Sequence, residues 1–153
     1  PKRKNTMAYQ ANEMFHGKLS HYLSYVCSGM VLFMAALLEL NHPIVDRLSD
    51  SSMQMLIMAG VVFGISASKV IFYTNAWFGG YNKPVFFIVT LLLITLWGII
   101  KSYELNLTFY PFNTFALSLF GSLSGTFLVR RFMVMTRLSG KKKLGLITRM
   151  LSI

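Results

Sequence analysis

Acidic residues are scarce in this 153-residue chain: five Asp and Glu stand against 15 Lys and Arg, for a formal net charge of +10. Charged residues of both signs amount to 13% of the chain, where a soluble domain averages about 25%. That is too little polar surface for a soluble DNA-binding domain, whose basic residues cover one hydrophilic face. A hydrophobic content of 54% excludes a disordered chain. One cysteine, Cys27, excludes an internal disulfide and any Cys-based zinc site. Enzyme signatures are also missing: there is no Gly-rich phosphate loop, no HExxH and no GxSxG. The chain is therefore read as a non-enzyme without a cofactor. A metal site is not expected either, because His16 and His21 are five apart and Pro43 breaks the helical register between His42 and Asp46.

Long apolar runs are what the sequence does have. A helical span needs about 20 mostly apolar residues to cover about 30 Å of hydrocarbon. Four stretches meet that length, at 21–40, 52–73, 84–102 and 111–129. Their apolar character is continuous rather than alternating, which predicts helices and not barrel strands. Asp50 and Ser51 are placed to cap the second span, and Pro84 and Pro111 fall where a first-turn proline is tolerated. Short connections predict that neighbours in sequence pair as antiparallel hairpins. The expected fold is an all-α integral membrane protein, with four transmembrane helices forming two hairpins.

Charge is divided by side. Lys2, Arg3, Lys4 and Lys18 precede the first span. Lys69 and Lys83 flank the second connection, and Arg130, Arg131, Arg137, Lys141, Lys142, Lys143 and Arg149 follow the last span. These thirteen basic residues fall on one side with Glu13. Arg47 and Lys101 fall on the other, with Glu39, Asp46, Asp50 and Glu104. The positive-inside rule then places both termini in the cytoplasm, in an assignment to a bacterial inner membrane. No small-residue cleavage pattern follows the first apolar run, so that span is read as an uncleaved anchor. Residues 1–20 form a partly amphipathic cytoplasmic tail, with Asn5 or Thr6 available as a helix cap. Residues 21–129 form the four-helix membrane domain. Residues 130–153 form a basic cytoplasmic tail in which Leu144, Ile147 and Leu151 recur at helical spacing among the lysines. A basic amphipathic segment of that kind lies on an anionic inner leaflet or docks on an acidic cytosolic protein. Nucleic acid is not an expected partner, because Phe132 is the last aromatic and no stacking side chain follows it.

Within the spans, Gly60, Gly64 and Ser68 recur every four residues, as do Gly121 and Gly125. Small residues at that spacing let helix backbones approach closely. Each stripe serves one of two purposes: packing the second span on the fourth within a chain, or joining copies of the chain. Lys69, about one turn inside its span, either snorkels to the headgroups or acts as a pore-lining or partner-binding cation. Glu39 and Lys101, near the outer ends, either snorkel or pair with each other. Span hydroxyls such as Thr90 bond back to their own helix. The function expected from all this is a small membrane scaffold or anchor subunit. It would be a homo-oligomer or part of a membrane complex, and would recruit a partner through its basic inner face. The alternatives are a homo-oligomeric channel or holin-like pore former, and a membrane sensor, immunity or exclusion protein.

Overall fold

The computed structural model describes residues 6–78 and 82–136, which are almost wholly helical and contain no strand. A short helix α1 (Met7–Asn12) runs through a π-helical segment (Glu13–Leu19) into α2 (Ser20–Leu40). Then come α3 (Asp50–Phe78), α4 (Asn82–Ser102), a 3-10 turn (Leu107–Phe109) and α5 (Pro111–Thr136). Among the described residues four helices are long and apolar enough to cross a membrane: Met7–Leu40, Asp50–Ile71, Lys83–Ser102 and Pro111–Met133. At about 1.5 Å per residue, α4 spans about 31 Å, close to the hydrocarbon thickness. α5 runs past the expected end at residue 129 to Thr136. The tail preceding the first span also differs from expectation. It does not turn away at residue 20 but continues the helix back to Met7, where Thr6 Oγ1 accepts from Tyr9 N at 3.4 Å.

Helix starts follow capping chemistry, with one shift. Ser49, not Asp50 or Ser51, caps α3: its hydroxyl accepts from Ser52 N at 3.2 Å, and Asp50 becomes a first-turn acid. That is where a carboxylate favours the helix dipole. α4 ends in a Schellman motif. Leu105 N donates to Ile100 O (3.0 Å) and Glu104 N to Lys101 O (3.2 Å), with Glu104 left-handed at φ 50°.

Three helices supply most of one apolar core, to which α3 adds Ile71. The buried positions on α2 are Gly29, Phe33 and Ala36; on α4 they are Val85, Val89, Leu92, Leu96 and Ile100. On α5 they include Asn113, Ala116, Phe120, Leu123 and Phe127. Spacings of three and four keep each set on one stripe of its helix, as packing between near-aligned helices requires. α3 is attached differently. It packs chiefly on α5 and makes little contact with α2 or α4. Gly60 faces Phe115, Ser118 and Leu119, whereas Gly64 faces Leu119, Ser122 and Leu123. Position advances together on both helices, so α3 and α5 run parallel. Phe86 meets Phe127 and Thr90 meets Ser124, so α4 and α5 run antiparallel. The most extensive contact is thus between helices two apart in sequence, not within a hairpin. The close approach is possible because Gly60 and Gly64 carry no Cβ where Ser118, Leu119 and Ser122 of α5 come against them.

Both long connections lie at one end of the bundle. Ile44 N donates to Phe109 O (3.1 Å) and Leu48 N to Thr108 O (3.0 Å), tying the α2–α3 loop to the α4–α5 loop. The N-terminal end of α2 and the C-terminal end of α5 lie together at the opposite end. Large apolar side chains stay exposed on every long helix, among them Val31, Met58, Leu91 and Leu128. Exposed apolar surface on all sides suits hydrocarbon and not water.

Candidate functional site

Glu39 forms the most polar junction within the bundle. Helix α5 begins with Pro111, and the residue before it, Tyr110, carries no short side-chain acceptor for the first amides. The last turn of α2 supplies one instead. Glu39 Oε1 accepts from Phe112 N at 2.9 Å, and Oε2 accepts from Asn113 N at 2.7 Å and Asn113 Nδ2 at 2.8 Å. Asn113 is fully buried, and its Nδ2 also donates to Ala36 O at 2.9 Å. The carboxylate and the positive end of the helix dipole attract each other. This clamp fastens the end of α2 to the start of α5. Asn113 Oδ1 is buried and has no hydrogen-bond partner.

Of the two readings open for Glu39 and Lys101, the structure does not show the mutual ion pair. The Lys101 ammonium instead lies 5.0 Å from the centre of the Trp97 ring, in a cation–π contact. Three donors from α5 already fill the carboxylate's near side.

The two small-residue stripes have different surroundings. A Cβ on Gly60 would lie 2.6 Å from Phe115 O and 2.7 Å from Ser118 Cβ. One on Gly64 would lie 2.5 Å from Leu119 O and closer still to Ser122 Oγ. Ser68 is fully buried on the same stripe, its hydroxyl donating to Ile65 O at 2.7 Å. At Gly121 and Gly125 a Cβ would meet nothing within 4 Å. The first stripe is used inside the chain, and the second lies open. Lys69 is exposed, one residue beyond buried Ser68 and turned from α5.

Hydroxyls in the spans are largely engaged. Ser118 donates to Thr114 O (2.8 Å) and Thr126 to Ser122 O (2.7 Å). Thr90 departs from the expected back-bond by pairing across helices with Ser124 at 3.2 Å. His21 stacks on Tyr25 at 6.4 Å, and Cys27 is exposed. Among the described residues no three His, Cys, Asp or Glu converge as a metal site would require.

Of the basic residues expected to dock lipid or partner, Arg130 is exposed and Arg131 half-buried near the end of α5, beside exposed Phe132 and Met133. Arg137, Lys141, Lys142, Lys143 and Arg149 lie outside the described residues, as does the amphipathic segment expected around Leu144, Ile147 and Leu151. At the loop end, a groove of about 400 Å³ is lined by Trp97, Ile100, Lys101, Glu104, Leu105 and Leu107. Sequence reading missed this groove and the Glu39–Asn113 clamp. Both join residues distant in sequence or reshaped by a turn.

Fold and surface define a class: an all-helical bundle with four helices able to cross a membrane, consistent with an integral membrane protein. No protein-family model, curated protein or solved structure matches the chain.

Proposed function

We propose that the chain is a small multi-pass scaffold or anchoring subunit of a membrane complex, placed in a bacterial inner membrane with both termini cytoplasmic. One observation carries the reading. Thirteen of the 15 basic residues fall on the side of the termini, with Glu13 as their one acidic neighbour. Topology requires some excess there, but not a run such as Lys141, Lys142 and Lys143. Such a surface attracts anionic headgroups or an acidic cytosolic protein, each basic residue contributing about 1 kcal/mol near an anionic membrane. Packing supports a scaffold over a pore within one copy, since Phe33, Leu96 and Phe120 fill the space between α2, α4 and α5. The open Gly121–Gly125 face supports self-association, as small residues do between spans.

Purification in mild detergent or nanodiscs, followed by cross-linking, tests the reading. The expected result is an oligomer or a co-purifying partner. Replacing Lys141, Lys142 and Lys143 by Gln should reduce partner recovery, and Gly121→Ile with Gly125→Ile should reduce self-association. Monomer alone, with nothing co-purifying, refutes the scaffold.

A further inference from the structure

We propose that the groove at the loop end of α4 binds the headgroup of a phospholipid carrying a primary ammonium, of the phosphatidylethanolamine kind. The inference goes beyond the scaffold reading and rests only on the bundle crossing a bilayer. The groove lies where α4 emerges, with half-exposed Trp97 one turn inside it, the placement of an interfacial aromatic. Ile100, Leu105 and Leu107 supply an apolar wall for the upper part of an acyl chain. Lys101 and Glu104 supply one charge of each sign, so the lining is neutral overall. A zwitterion satisfies both: its phosphate accepts from the Lys101 ammonium and its own ammonium donates to the Glu104 carboxylate. A singly anionic headgroup would satisfy Lys101 and meet Glu104 as a like charge. A quaternary ammonium has no N–H to donate, and the Lys101 ammonium, 5.0 Å from the ring centre, already holds the Trp97 face that would attract one.

Glu104 also occupies a position that favours glycine. It is the left-handed residue of the Schellman cap, at φ 50°. Replacing it therefore provides a clean test. Glu104→Gly removes the carboxylate while relaxing the turn, so loss of binding cannot be blamed on loss of fold.

The experiment is native mass spectrometry of the full chain in mild detergent, equilibrated with equal amounts of dioleoyl phosphatidylethanolamine, phosphatidylcholine and phosphatidylglycerol. One phosphatidylethanolamine should be retained in preference to phosphatidylcholine. Glu104→Gly should raise the melting temperature yet lower that retention about tenfold, the effect of one charged hydrogen bond. Lys101→Gln should lower it similarly. Phosphatidylglycerol, bound through the basic end, should be retained by Lys101→Gln as by the parent, and by Glu104→Gly at least as well, because the like charge that kept it from the groove is gone. Equal retention of the ethanolamine and choline lipids, or undiminished ethanolamine retention in Glu104→Gly, overturns the proposal. Phosphatidylglycerol retention in Lys101→Gln separately reads the basic face, so the two readings fail independently.

Discussion

Alanine at the four stripe glycines should divide them into two pairs with opposite responses. At Gly64 the new Cβ would lie 2.5 Å from Leu119 O, a backbone atom of the neighbouring helix. Carbon and carbonyl oxygen sit comfortably at about 3.3 Å, so α3 must retreat from α5 by roughly 0.8 Å. A gap of that size forfeits a quarter to a half of each dispersion contact along the seam. Overpacking of this kind costs about 1–3 kcal/mol. Gly60 faces the same problem against Phe115 O at 2.6 Å. Alanine also gains up to about 1 kcal/mol of helix propensity over glycine. The net expectation for Gly60→Ala and Gly64→Ala is a loss of up to about 2 kcal/mol each. Within a single copy, Gly121→Ala and Gly125→Ala gain the propensity and meet no atom within 4 Å, so they should be neutral or stabilising. Equilibrium unfolding of the dissociated monomer in mild detergent measures all four. Ser122→Ala should rescue Gly64→Ala only in part, because it removes the hydroxyl and leaves the Leu119 carbonyl in place. Equal losses in the two pairs, or a full rescue, would refute the close parallel packing of α3 on α5.

Three other outcomes follow from single contacts. Glu39→Ala removes the acceptor for three donors on α5 and should cost about 2–3 kcal/mol, with Glu39→Gln costing less; hydrogen exchange should speed at Phe112 and Asn113, and unchanged exchange there would count against the clamp. Glu104→Gly should gain about 1 kcal/mol by relieving the left-handed residue, and a loss in thermal unfolding would count against the Schellman cap. Thr90→Val should cost about 0.6 kcal/mol, typical of a hydrogen bond between membrane helices, and a double-mutant cycle with Ser124→Ala should recover most of it as coupling.

The four long helices and the first-turn position of Pro111 were legible in the sequence, and Thr6 was one of its two candidate caps. These are local properties: hydropathy over about 20 residues and a short acceptor before a helix. A few near misses came from the same locality. The α3 cap fell at Ser49 because several adjacent side chains there are equally able to accept. The span boundaries lengthened because helix continues wherever no breaker stops it. What the tertiary structure alone decided is which neighbour each residue meets. Gly60–Gly64 and Gly121–Gly125 read alike in one dimension, yet one stripe is pressed against Ser118 and Ser122 while the other is open. Glu39 reads from the sequence as a residue that snorkels or pairs with Lys101, yet it meets amide donors more than 70 positions away. α5 leaves its first amides without a local side-chain acceptor, and only the bundle brings the end of α2 within reach of them. Spacing fixes which residues share a face of a helix; which helix covers that face depends on how all four pack together.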